Sequence, residues 1–132
     1  YFITRKNARG NILIRFFTND DPVKALRFER FLRSERKMAV TAVTVAEAYW
    51  VLSSFYRFPK MKILDCLESL VGKASIISPK ILLLDTVTIL RRHNISFVDA
   101  FTAAYSLIKH QGRVLSYDKG FAKVKGIRRI EP

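Results

Sequence analysis

The stretch ISFVDAFTAAYSLIKHQGRVLSYDKG, residues 95–120, contains a helix, its stop signal and the strand that follows. Ser96 has an N-cap side chain just ahead of helically spaced apolar residues. The helix should run to about His110 and end at Gly112, a residue suited to leaving a helix. Arg113 to Ser116 then reads as a short strand, and Tyr117-Asp118-Lys119-Gly120 as the turn beyond it.

The same alternation extends in both directions. Tyr1 to Ile3 reads as a strand, and Asp21-Pro22 starts a helix with Asp at the N-cap and Pro in the first turn. Val23, Leu26, Phe28, Phe31 and Leu32 follow at broadly helical spacing, among Lys24, Arg27, Arg30 and Arg33. Met38 to Thr41 is a second strand, and Thr44 to about Phe58 a helix that Pro59 ends. Lys60 to Val71 makes another helix, Ser75 to Ile77 a third strand, and Pro79 to about His93 a further helix. Ile127 to Ile130 supplies a fifth strand. No repeat or linker divides the chain. The expectation is one α/β domain over residues 1–132, with three α/β/α layers around a central parallel sheet of about five strands. Tyr49, Trp50, Phe55 and Tyr56, and Phe16, Phe17, Phe28 and Phe31, are expected to lie mostly in the core.

Composition narrows the partners. A net charge of +13 on 132 residues favours polyanions, RNA or DNA first and an anionic membrane surface second. The single cysteine, Cys66, cannot form an internal disulfide, so a reducing compartment is expected. No Cys/His cluster has zinc spacing. His93 and His110 each stand near a helix end, where a cation meets the carbonyl pole. No apolar run reaches the roughly 18 residues of a membrane span and no signal-peptide pattern is seen, so a cytoplasmic location is expected. The chain begins without Met, which suggests a trimmed or incompletely recorded N-terminus.

Only eleven residues are acidic, so their positions are informative. Glu47 is expected in the first turn of the helix after the second strand, Asp99 in the first turn of the Ser96 helix, and Asp118 just after the fourth strand. Parallel α/β sheets gather their sites at this edge, where strands end and helices begin. Each acid also has a structural role open to it. Thr44-x-x-Glu47 and Ser96-x-x-Asp99 have capping-box spacing, and Asp118 suits a turn. Together the three read as a carboxylate cluster, whose mutual repulsion a hard divalent cation relieves. Mg²⁺ or Mn²⁺ held by acids in a basic protein suits phosphodiester hydrolysis. No Gly-rich phosphate loop, dinucleotide fingerprint or nucleophile elbow competes.

Four segments carry a resemblance: NILIRFFTNDDP (11–22), TAVTVAEAYWVL (41–52), ISFVDAFTAAYSL (95–107) and VLSYDKGFAKV (114–124). In this order they resemble the PIN domain, and in particular the small toxin nucleases of the VapC type. The resemblance implies that Glu47, Asp99 and Asp118 are catalytic metal-site acids, with Asn11 and Ser116 as supporting polar residues. It also implies Mg²⁺- or Mn²⁺-dependent cleavage of an RNA substrate, a homodimer, and a cognate antitoxin protein as partner. Arg5, Lys6, Arg9, Arg15 and Lys119 are the candidate nucleic-acid contacts. ILIRFF looks like a strand by its β-branched and aromatic residues, whereas the resemblance makes it the start of the first helix.

The resemblance breaks at one place. The family pattern has Asp-Thr-Asn directly after the first strand, and that Asp is its first metal-site acid. Here TRKNARG (4–10) precedes Asn11, and an alignment without a gap puts Arg9 at the Asp position. Two unit charges about 4 Å apart at an effective dielectric near 20 interact by about 4 kcal/mol, and a divalent ion roughly doubles this. An Arg at such a distance would cripple metal binding, yet Mg²⁺ often uses only one or two carboxylates. The second acid sometimes found in the last motif is also missing, since Gly120 follows Lys119. Three readings stand: an endoribonuclease with the three remaining acids, a catalytically inactive PIN fold that binds RNA or a protein, and an unrelated α/β domain with a basic surface.

Overall fold

The computed structural model describes Ile3 and residues 11–132. The expectations for Tyr1 and Phe2 and for the cations Arg5, Lys6 and Arg9 lie outside the described residues. The chain divides into two compact units, Tyr1–Lys80 and Ile81–Pro132.

In the first unit the apolar run after Asn11 is helix α1 (Ile12–Thr18), as the resemblance implied. Its ends explain why strand-favouring residues adopt it. Asn11 Oδ1 accepts from the Leu13 amide at 2.9 Å, and Asn19 closes the other end in the left-handed conformation at φ 52°. Two such caps, with Leu13 and Ile14 fully buried, outweigh a propensity of a few tenths of a kcal/mol per residue. Helix α2 (Pro22–Arg33) starts on Asp21, whose Oδ1 accepts from the Lys24 amide at 3.2 Å. Its apolar stripe is only partly covered: Ala25 and Leu32 are buried, whereas Val23 and Leu26 are exposed. Phe16 meets Phe28 edge-on at 5.2 Å, which ties α1 to α2.

Strand β1 (Met38–Ala39) leads into α3 (Ala42–Ser54), and Pro59 precedes α4 (Lys60–Gly72), which leads to β2 (Ile76–Ile77). The two strands are parallel, with Met38 beside Ile76 and Ala39 beside Ile77. Ile3 extends this arrangement, because its amide donates to the Ala39 carbonyl at 2.9 Å. Ser75 Oγ donates to the Leu32 carbonyl at 2.9 Å and so fastens the end of α2 beneath β2. Ile63, Leu64, Leu67, Leu70 and Val71 bury one face of α4. The aromatic cluster on α3 departs from expectation, since Trp50 is 63% exposed and Phe55 57%. Val45, Ala48, Val51 and Leu52 form the buried stripe of α3 instead.

Helix α5 (Lys80–Arg92) begins at the last residue of the first unit and buries Leu83, Thr86, Val87, Ile89 and Leu90. In the second unit, α6 (Phe97–Lys109) is followed by β3 (Arg113–Leu115), a 3₁₀ turn (Lys119–Lys123) and β4 (Arg128–Ile130). Gln111 and Gly112 reverse the chain with φ of 53° and 76°. Buried Ser106 donates through Oγ to the Arg113 carbonyl at 2.8 Å, which binds α6 to the strand that follows. Strands β3 and β4 are parallel, pairing Arg113 with Arg128, Val114 with Arg129 and Leu115 with Ile130.

The α/β class and the parallel pairing follow the sequence. The strands assigned among the described residues form two parallel pairs, one in each unit, rather than a single ladder of about five.

Candidate metal centre

The first unit supplies Asn11 and Glu47. Asn11 is fully buried; besides capping α1, its Nδ2 donates to the Thr44 carbonyl at 3.4 Å. That carbonyl belongs to α3, one turn ahead of Glu47. The capping box expected from Thr44 to Glu47 is not formed. The N-cap is Thr41, whose Oγ1 accepts from the Thr44 amide at 3.2 Å. Glu47 therefore stands in the second turn, since a capping box would put its acid at the third helical position, held by Thr44. Its carboxylate has no cap to serve, and Oε1 is buried. Two threonines three residues apart were the available signal; the glutamate after the second one made that one look like the cap.

The second unit supplies Asp99, Ser116 and Asp118. Ser96 caps α6 by accepting from the Asp99 amide at 3.1 Å, so Asp99 sits in the first turn as its spacing predicts. Ser116 Oγ accepts from the Asp118 amide at 2.9 Å, and Asp118 Oδ1 accepts from the Gly120 amide at 2.7 Å. The turn's structural reading thus holds for Asp118, yet it employs one carboxylate oxygen only. This turn lies against the start of α6: a Cβ placed on Gly120 would be 3.6 Å from Ile95 Cγ2. Asp99 and Asp118 are thereby carried by neighbouring segments. Among the described residues, no ion pair holds either carboxylate.

Arg129 was not legible as a site residue. Its Nη1 donates to the Ser116 carbonyl at 2.8 Å, and the same guanidinium pairs with Glu131 Oε2 at 3.2 Å. Only the β3–β4 register brings it beside the Asp118 turn, and no local motif signals it. Of the candidate nucleic-acid contacts, Lys119 is exposed at the start of the 3₁₀ turn. Arg15 is half-buried in the last turn of α1, where a cation complements the helix dipole.

Hard oxygen donors such as Glu47, Asp99 and Asp118 match Mg²⁺ or Mn²⁺ in chemical type. Within either unit, among the described residues, no group of three or more His, Cys, Asp or Glu side chains stands together to hold a metal ion. No described helix is long and apolar enough to cross a membrane.

No curated protein and no solved structure matches the chain significantly. The family model for the PIN domain does match, over residues 10–127, and PIN domains are commonly metal-dependent nucleases. That match takes in Asn11, Glu47, Asp99, Ser116 and Asp118 and nearly the whole chain: this protein belongs to the PIN domain family.

Proposed function

We propose that the chain is a divalent-metal-dependent endoribonuclease of the PIN type, acting as one domain over residues 1–132. In this reading it is the toxin of a toxin–antitoxin pair, working in the cytoplasm as a homodimer with a cognate antitoxin. The observation that supports it best is the family match, which contains all three acids at chain positions suited to a site. Glu47, Asp99 and Asp118 would hold Mg²⁺ or Mn²⁺. When bound, such an ion lowers the pKa of a coordinated water and stabilises charge developing on the phosphoryl group.

The chain's own residues contribute orientation and charge. Asn11 ties the start of α1 to the turn of α3 before Glu47. Ser116 and the Gly120 amide hold the Asp118 side of the site in a fixed turn. Lys119, Arg15, Arg5, Lys6 and Arg9 offset the charge of the RNA backbone.

A second reading is a catalytically inactive PIN fold that binds RNA or a protein. It is favoured by one observation, the TRKNARG segment that stands where the first acid belongs. One experiment separates the two. Single-stranded RNA is incubated with Mn²⁺ or Mg²⁺ and the parent chain, Asp99→Asn, or a chain with residues 4–10 replaced by Asp-Thr. The nuclease reading expects cleavage by the parent, abolished by EDTA and reduced at least about 100-fold in Asp99→Asn. Cleavage that appears only after the replacement would establish the inactive reading for this sequence.

A further inference from the structure

The aromatic residues of α6 form a graded series. Phe97, Phe101, Tyr105 and His110 follow one another with ring centroids 6.4, 6.5 and 5.8 Å apart and interplanar angles of 15°, 34° and 32°. Phe97 is buried, Phe101 half-buried, Tyr105 44% exposed and His110 exposed, so the series emerges from the core into solvent. At its outer end lies a cleft of about 290 Å³, lined by Phe101, Tyr105, His110, Arg113 and Leu115 among others. Residues 100–117 include Lys109 and Arg113 but no Asp or Glu. Arg128 stands opposite Arg113 in the β3–β4 register.

Exposed aromatic rings beside cations, with no acid along the segment, match one class of ligand better than others. Every nucleobase has a π-face that stacks on an aromatic ring, and each base brings a phosphate for the neighbouring cation. We propose that this cleft is a stacking site for an unpaired base of single-stranded RNA. Tyr105 is the platform, and Arg113 meets the adjoining phosphate. The inference rests on the RNA-directed reading above, but it uses different residues from the chemistry. Asp99 is two positions from both Phe97 and Phe101, about 200° around the helix, so it lies on another face of α6. Tyr105 is therefore a substrate-holding residue on a different face of α6 from Asp99.

The test measures binding without cleavage. A fluorescein-labelled uridine oligomer of about a dozen nucleotides is titrated in EDTA with the parent chain, Tyr105→Ala, Tyr105→Phe and Arg113→Gln. Losing one base stack should weaken binding by about 5- to 150-fold in Tyr105→Ala, with Tyr105→Phe within about twofold of the parent. Arg113→Gln should weaken binding and flatten its salt dependence; its exposed side chain keeps the test available if Tyr105→Ala fails to fold. Unchanged affinity in a folded Tyr105→Ala protein overturns the proposal. So does a shift of that variant to a lighter sedimenting species at unchanged RNA affinity, which would make the cleft an interface between copies. Cleavage is assayed separately with Mn²⁺. Tyr105-dependent binding without cleavage by the parent removes the nuclease reading and leaves this site standing. Cleavage with Tyr105-independent binding removes this site alone.

Discussion

The side-chain amide of Asn11 spans two helices: its oxygen accepts from the Leu13 amide at 2.9 Å in α1, and its nitrogen donates to the Thr44 carbonyl at 3.4 Å in α3. Both groups are out of solvent's reach at a residue with no exposed surface. Asn11→Ala removes the N-cap acceptor of the buried Leu13 amide and the donor to the Thr44 carbonyl, a combined loss of about 2 kcal/mol. Denaturant unfolding of the variant measures it. A change below about 0.5 kcal/mol would show that neither bond matters to the folded state. Asn11→Asp should recover part of the loss, because it restores the cap acceptor but not the donor to Thr44.

Gly112 is required for two separate reasons. Its φ of 76° lies in the left-handed region, and a Cβ there would overlap the Gly126 carbonyl oxygen. The close approach serves the sheet, since Arg128 donates its amide to the Gly112 carbonyl at 2.7 Å where β3 and β4 begin. Gly126 also has a left-handed φ, 87°, but a Cβ there meets only Leu107 Cδ2, the tip of a flexible side chain. Gly112→Ala should therefore lower the melting temperature more than Gly126→Ala, with a cost above about 2 kcal/mol. Equal shifts would mean that backbone strain alone, and not the carbonyl overlap, sets the penalty.

These two glycines show how far local signals reach. Gly112 was legible as a helix stop because a residue free to adopt positive φ is needed there, whereas its contact with Gly126 depends on a parallel register that no local pattern encodes. Asp21-Pro22 and Ser96 were legible for the same reason, as caps act within three residues. Thr41 is hard to read as the cap because Thr44 offers equal chemistry with an acid at capping-box spacing, yet Thr41 Oγ1 accepts from the Thr44 amide. Trp50 and Phe55 were expected inside from their type alone, but α3 turns its smaller apolar residues to the core. The acids at candidate positions could be found because strand ends and helix starts are local features. Arg129 could not, since it reaches the Asp118 turn from the next strand.

Acid should weaken the start of α2. The Asp21 carboxyl titrates below its usual value, chiefly because it accepts from the Lys24 amide, with smaller help from the Lys24 and Arg15 charges. A carboxylate whose folded pKa is depressed adds stability above its unfolded pKa and loses it as pH falls through the folded value. The window therefore opens near the ordinary carboxylate value of 3.8 and extends below it. Asp21→Asn keeps a cap but removes the titration. The parent should exceed Asp21→Asn in stability at about pH 6, and the gap should narrow as the pH falls below 3.8. A gap that stays constant across this range would assign the effect to the cap geometry and not to the charge.

The Arg129 guanidinium is linked to the Asp118 turn through Ser116. Its side chain is 17% exposed and its Nη1 holds the Ser116 carbonyl, while Ser116 Oγ in turn accepts from the Asp118 amide. Arg129→Met leaves that carbonyl without its charged donor and should cost about 1–2 kcal/mol. Glu131→Gln should cost less than about 0.5 kcal/mol, because the glutamate is 54% exposed and its pairing is screened by solvent. A general loss of stability would speed amide exchange throughout β3 and β4. A positioning role predicts instead that the Asp118 and Gly120 amides exchange faster in Arg129→Met under conditions where the Val114 amide keeps its protection. Arg129→Lys, which restores a cation but not the guanidinium geometry, should return part of that protection. Unchanged exchange at Asp118 and Gly120 would leave Arg129 as a strand residue with no hold on the candidate site.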